Sequence, residues 1–300
     1  MSLTRRQALA GLLAATQLAS AARPAKAVII LDSTWSAEGG RPGRERDGYR
    51  AHVALANQPQ FDSLVALSGD GGAEWNDASG TWIGNFGGVG YVLSAAHCYD
   101  ADDPVDGYLY RTQRGTVCRG TRVVRHPDYG SDSDNRSGYD VAISRLDRPL
   151  TDIGPPPLLY GGEVGVGARI VIVGFGSRGL GSTGENVVFS SPRSNKAAAE
   201  NIVDKVTEPD ADDGDDDEDA GNWLRVTLRR PSEGGGRLDG ILGSGDSGGS
   251  AWMQIAGRWY IVGVNASGTG DTYGAHSYFT RLSGVRDWMV GVLPGLRFSP

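Results

Sequence analysis

Cysteine is scarce: the 300 residues contain two, Cys98 and Cys118. A small scaffold stapled by many disulfides is therefore excluded, and one intramolecular pairing is available. Histidine is nearly as rare, at His52, His97, His126 and His276, so imidazole chemistry has four candidates. Basic charge is also short. The 29 Lys and Arg face 36 Asp and Glu, a net charge of -7, which offers no basic face to a nucleic acid. No apolar run long enough to span a membrane follows the first 27 residues. No repeat of fixed period is present.

The acidic excess is concentrated. Glu208, Asp210, Asp212, Asp213, Asp215, Asp216, Asp217, Glu218 and Asp219 follow one another with no basic residue between them. Their order lacks the Gly and Glu placement of an EF-hand loop, so the run reads as a solvated hairpin loop rather than a calcium site. No metal and no cofactor is expected.

What the chain does have begins at its N-terminus. Arg5-Arg6 precedes an Ala- and Leu-rich run from Ala8 to Ala22, followed by small-residue cleavage points at Ala19-Ser20-Ala21 and Ala25-Lys26-Ala27. These three regions form a signal peptide over residues 1–27, and the arginine pair fits a twin-arginine export signal. The mature protein is expected to be secreted or periplasmic, monomeric and without a membrane span. Residues 28–50 are polar and rich in Gly and Arg and read as an extended arm or pro-segment, which leaves 51–300 as the folded domain.

The 46 glycines disfavour helix, at roughly 1 kcal/mol per interior position. Short apolar, β-branched runs separated by Gly, Asp and Ser predict strands at 64–67, 89–93, 117–124, 141–146, 170–175, 201–206, 223–228, 251–255, 259–264 and 277–282. The fold class is therefore all-β, a barrel or sandwich rather than alternating βα units. One helix is predicted at the C-terminus, capped by Ser283 and carrying Val285, Trp288, Met289 and Val292 on one face.

Three segments carry chemistry. His97 ends an apolar run in small residues, Val92-Leu93-Ser94-Ala95-Ala96-His97-Cys98, which lets a ring reach a cleft from a rigid support. Asp140 opens the run Val141-Ala142-Ile143, where a buried carboxylate could orient an imidazole. Ser247 lies in Gly243-Ser244-Gly245-Asp246-Ser247-Gly248-Gly249, where glycines let the Gly245 and Ser247 amides face the same point as the hydroxyl. A serine hydroxyl is a weak nucleophile without a neighbouring base, and the histidine supplies one. Each feature alone is more often structural; the set is not.

These segments resemble the trypsin/chymotrypsin superfamily of serine proteases. Ser94-Ala95-Ala96-His97-Cys98 matches its (T/S)-A-A-H-C segment, Asp140-Val141-Ala142-Ile143-Ser144-Arg145-Leu146 is similar to D-I-A-L-L-x-L, and Gly245-Asp246-Ser247-Gly248-Gly249 matches G-D-S-G-G. His126-Pro127-Asp128-Tyr129, Gly174-Phe175-Gly176 and the Trp288 helix keep the family order. The resemblance implies two six-stranded antiparallel β-barrels with a C-terminal helix. It also implies an exported endopeptidase acting on proteins or peptides, with His97, Asp140 and Ser247 as triad and Gly245 and Ser247 as oxyanion hole.

By the same resemblance Ile241 forms an apolar pocket floor, with Ser244, Ala266, Ser267, Gly268 and Ser277 as walls. Small or medium apolar residues should then be preferred before the scissile bond over Arg or Lys, unless a shifted loop brings Asp239 to the floor. The sequence lacks the family's usual partner for the Cys after the catalytic His, so a Cys98–Cys118 bridge is expected instead. It also has no Ile-Val-Gly-Gly start. In many relatives that start becomes a new N-terminus that pairs with the acid before the nucleophile, here Asp246. Two rival readings are weaker. An α/β-hydrolase esterase needs its acid and base after Ser247, where only His276, with Asp271 or Asp287, is on offer, and it needs a helix where a strand is predicted. A silent protease-like binding module would more often have lost one of the three residues.

Overall fold

The computed structural model describes residues 28–75, 77–100, 105–130, 137–189, 196–207 and 221–300. The expected signal peptide and the acidic run 208–219 lie outside them. The described chain starts with a short strand β1 (Ile29–Ile30) and helices α1 (Asp32–Ala37) and α2 (Arg50–Ala56). The strands β2 (Leu64–Ser68), β3 (Ala78–Phe86), β4 (Val89–Ser94), β5 (Leu109–Arg111), β6 (Val117–Arg125) and β7 (Ala142–Leu146) follow and close into an antiparallel barrel ordered β2-β3-β4-β7-β6-β5. Val65, Leu67, Trp82, Val92, Tyr110, Cys118 and Leu146 fill it.

The second half contains β8 (Leu158–Tyr160), β9 (Arg169–Gly174), β10 (Gly179–Leu180), β11 (Gly184–Glu185), β12 (Ala197–Val206), β13 (Trp223–Thr227), β14 (Gly240–Ile241), β15 (Ser250–Ile255), β16 (Arg258–Gly268), β17 (His276–Arg281) and β18 (Phe298–Ser299). The order β15-β9-β12-β13-β17-β16, with β16 pairing back onto β15, closes a second six-stranded barrel. Strands β8 and β18 extend its β16 edge in parallel. Closure removes the exposed edges that an open sheet of this composition would present.

Between the barrels lies one apolar cluster that includes Phe61, Leu64, Leu93, Ile143, Val171, Val173, Trp252 and Met289. Trp252 is 1% exposed and meets the Phe61 ring edge-on at 5.4 Å. Truncating such a buried aromatic to Ala typically costs about 3–5 kcal/mol. Helix α3 (Leu282–Val292) buries Leu282, Val285 and Met289 in this seam. His126 stacks on Tyr139 at 4.5 Å and meets the Trp288 ring at a tilt at 5.0 Å, so α3 is held to the first barrel as well. The helix begins two residues earlier than predicted; its N-cap is Arg281 and Ser283 lies in the first turn.

Residues 28–50 are not an extended arm. Val28, Ile29, Ile30 and Leu31 are buried, and β1 is inserted between β10 and β14. The alternation is that of a strand covered on both faces: Ile29 and Leu31 enter the second barrel's core, while Val28 and Ile30 face Tyr49, Leu180, Phe189, Ala197 and Ala199. Helix α2 packs on β12. His52 of that helix is buried and its Nδ1 lies 2.8 Å from the Ala198 carbonyl.

Candidate active site

Asp140 stands two residues before the start of β7, fully buried. Its Oδ1 accepts the His97 backbone N–H at 2.9 Å and its Oδ2 lies 2.6 Å from His97 Nδ1. The side chain of His97 is 37% exposed, so one ring edge is fixed on a buried carboxylate and the other faces solvent. The remaining histidines are engaged elsewhere: His52 and His126 are buried, and His276 Nδ1 meets Thr227 Oγ1 at 2.9 Å.

The loop that carries Ser247 comes from the second barrel and packs on the first. Its carbonyl accepts the Ser79 N–H at 2.8 Å, while Ser79 Oγ donates to the Gly245 carbonyl at 2.9 Å and accepts from Phe175 N at 2.9 Å. One buried serine on β3 therefore stitches the first barrel to the loop that carries Gly245 and Ser247. A Cβ on Gly248 would lie 2.0 Å from Ser94 Oγ and 2.3 Å from the Ser79 carbonyl. Only glycine lets this loop approach the residues just before His97, and its φ of +78° suits glycine too. Gly245 has φ +86°. Neither its N–H nor that of Ser247 has an acceptor among the described residues. The Ser244 carbonyl accepts from Ser177 N at 2.5 Å, which pins the peptide preceding Gly245.

A family model described as Trypsin matches residues 57–222, more than half of the chain. The chain belongs to this family. No curated protein matches the chain. The trypsin match includes His97 and Asp140 and ends before Ser247; the loop that carries Ser247 packs against Ser79, and against Ser94 and Ala95 just before His97 in the chain.

Two features depart from what the trypsin resemblance implies. First, Cys98 and Cys118 are both free, and the expected bridge is absent. Cys118 is buried inside the first barrel, whereas Cys98 lies beside the histidine with Sγ 3.9 Å from His97 Nε2. Unfolded, unreduced protein should accordingly titrate two thiols. Second, His97 Nε2 has no hydrogen bond to Ser247 Oγ among the described residues. Such bonds are commonly long without substrate and tighten when it binds.

Burial disfavours the His97 imidazolium, but the neighbouring Cys98 sulfur and the Asp140 carboxylate outweigh it and push the group up to about 11. A base with a raised pKa is neutral only at higher pH. The acid limb of any His97-dependent activity should therefore have its midpoint above the ordinary histidine value near 6.5. Cys98→Ala removes one raising partner and should move that midpoint down. The pH dependence of kcat/KM checks this; a midpoint at or below 6.5 in the parent chain, or one that rises in Cys98→Ala, contradicts it.

Beside Ser247 is a cavity of about 350 Å³, lined by Leu242, Gly243, Ser244, Ala266, Ser267, Gly268 and Gly270, with Glu185 and Asp271. Ile241 does not line it. As part of β14, paired with Ile29, it is fully buried in the second barrel's core, and Leu242 reaches the cavity in its place. Ser277 also lies behind the wall, fully buried, accepting from Leu242 N at 3.0 Å. Asp239 is not at the floor either; it is buried at a turn, accepts from Gly236 N at 2.8 Å and faces Arg169.

The sequence reading also missed Val28. Its nitrogen donates to Asp246 Oδ2 at 3.0 Å, and the same carboxylate takes Gly243 N at 2.9 Å and Gly176 N at 2.8 Å. The signal was present: the β-branched run Val28-Ile29-Ile30 directly follows the cleavage point Ala25-Lys26-Ala27.

Proposed function

We propose that the chain is an exported serine endopeptidase in which His97, Asp140 and Ser247 form the catalytic triad. The observation that carries this reading is the Asp140–His97 pair, made by backbone and ring together, with a serine loop packed on the strand end that leads to His97, two amides in that loop without acceptors among the described residues, and a cavity beside the serine. In this mechanism Asp140 holds Nδ1–H, leaving Nε2 to take the Ser247 proton as Oγ attacks a peptide carbonyl. The Gly245 and Ser247 N–H groups receive the oxyanion, each at roughly 3–4 kcal/mol. His97 then protonates the leaving amine, and water hydrolyses the acyl-enzyme by the reverse sequence.

Export fits the same geometry. Removal of residues 1–27 leaves the Val28 nitrogen as an α-amine beside Asp246, a buried carboxylate otherwise met by neutral N–H donors at Gly243 and Gly176. The residues of the expected leader and the strand that follows it thus divide at a point that adds a cation beside this carboxylate, whose hydrogen bonds from Val28, Gly176 and Gly243 come from backbone N–H groups.

The test is hydrolysis of an unstructured protein such as casein by the chain beginning at Val28, with products read by mass spectrometry. Internal cleavages that are lost in His97→Ala support the reading. Intact casein, or cleavage equal in His97→Ala, contradicts it.

A further inference from the structure

The sulfur beside His97 has no part in the mechanism above. Cys98 ends the short turn Ala96–Cys98, and its N–H donates to the Ala95 carbonyl at 3.3 Å. That turn leaves Sγ 3.9 Å from His97 Nε2, while Nδ1 of the same ring lies 2.6 Å from Asp140 Oδ2. A thiol and a buried carboxylate therefore stand at the two nitrogens of one imidazole, the arrangement that activates a sulfur nucleophile. Cys98 has no disulfide partner.

Access and competition follow from the same placement. The Cys98 side chain is half-buried, packed on both the seam cluster and the first barrel's core. Cys118, inside that barrel, is 1% exposed. With Nδ1 protonated and bonded to Asp140, Nε2 has a single lone pair. It can take a proton from the Ser247 hydroxyl or from the Cys98 thiol, not from both. A sulfur placed only to fill the seam would react at a rate indifferent to His97.

We propose that Cys98 is a reversible modification site, a thiol that exchanges with small-molecule disulfides and, once capped, closes off His97 as a base. The exchange rests on the Cys98–His97–Asp140 geometry alone; the loss of the base as a switch rests on the peptidase reading above. In the exchange, Nε2 takes the S–H proton and the Cys98 thiolate attacks one sulfur of the small disulfide. The S–S bond of that molecule breaks as its sulfur bonds to Sγ, and the departing thiolate takes the proton back from Nε2. Cys98 is oxidised to a mixed disulfide while the small disulfide is reduced to one free thiol. The cap is then tethered to a sulfur 3.9 Å from the nitrogen that the Ser247 hydroxyl must reach. A reducing thiol removes it by the same route.

The experiment treats the chain beginning at Val28 with oxidised glutathione at neutral pH, without denaturant. Adducts are mapped by mass spectrometry alongside casein hydrolysis and fluorophosphonate labelling. The expected result is one glutathione on Cys98 and none on Cys118. Hydrolysis and labelling should fall at least about tenfold in the capped chain, because the serine loses its base, and return with dithiothreitol. Cys98→Ala should hold its own untreated rate after the same treatment. In His97→Ala the adduct should form about tenfold more slowly, with Cys118 still unmodified as the sign that the barrel is folded. No adduct on Cys98 in the folded chain, an adduct rate unchanged in His97→Ala, or a capped chain that cleaves casein at the untreated rate overturns the inference. Casein left intact by the untreated chain overturns the peptidase reading instead, and the His97 dependence of the adduct still decides the exchange.

Discussion

Ser247→Ala is expected to lower kcat against any cleaved peptide by roughly 10⁴- to 10⁶-fold, with little change in KM. The loss is large because no other described hydroxyl shares the position. Ser79 and Ser94, the nearest serines along the barrel seam, are buried and already bonded to the Gly245 and Ser79 carbonyls. Residual turnover would come from the Gly245 and Ser247 amides, which the substitution leaves in place. Asp140→Asn should cost about 10⁴-fold in kcat for a different reason. An amide offers Nδ1 only one acceptor oxygen, while Asp140 now serves the His97 ring through Oδ2 and the His97 backbone through Oδ1. Steady-state kinetics on a peptide ester and an amide check both. Turnover within tenfold of the parent in Ser247→Ala removes the nucleophile assignment.

Blocking the Val28 amine is the second large effect. A chain made with one extra residue before Val28, and retaining it, should lose roughly 100- to 5,000-fold in kcat/KM, the effect of removing one partner of a buried ion pair at about 3–5 kcal/mol. Asp246 lies between Gly245 and Ser247, and its carboxylate ties Val28, Gly176 and Gly243 into one cluster. Without the Val28 ammonium the cluster loses its closest cation, and the Gly245 and Ser247 backbone on either side of Asp246 loses support.

The pH dependence has a definite sign. Burial raises the Asp246 carboxyl to about 7, against the N–H bonds from Gly243, Gly176 and Val28, with Glu185 adding to the rise. A carboxyl raised in the folded state favours folding at low pH and loses that contribution as pH climbs through its folded value. The blocked chain should therefore lose thermal stability between about pH 4 and 7, whereas the chain with a free Val28 ammonium should not lose it there. Melting curves across that range, alongside kcat/KM, separate a loosened fold from a misaligned site. Equal activity with and without the extra residue contradicts the pairing.

The candidate catalytic segments stand out in the sequence because the chemistry proposed for them leaves little choice. A histidine after small residues, an acid before an apolar strand and a serine among glycines each serve a local need, and each local need leaves a local pattern. The barrels were legible wherever strands are β-branched. They were obscured where tertiary demands override propensity. The segment Ala197-Ala198-Ala199-Glu200 would suit a helix, yet it forms the first half of β12, since small side chains there admit α2 and β1. Strand β3 is hidden by Gly80 and Gly84; a Cβ on Gly80 would lie 2.5 Å from Val92 Cγ1, so close packing of strands explains its glycine. The pocket was misread because its walls come from distant chain. Ile241 was drawn into the core by Ile29, some 200 residues away, and Glu185 and Asp271 meet only through hairpin docking. Residues 28–50 looked solvated because their arginines and glycines outnumber the few apolar positions that pack.

The central claim, that Ser247 is a nucleophile activated by His97, is tested most directly by covalent labelling. The chain beginning at Val28 is treated with a fluorophosphonate, digested and sequenced by mass spectrometry. One adduct on Ser247, formed in the folded protein and lost in both His97→Ala and heat-unfolded chain, is the predicted result. A folded chain that takes no label, or that is labelled on Ser247 equally in His97→Ala, would contradict it.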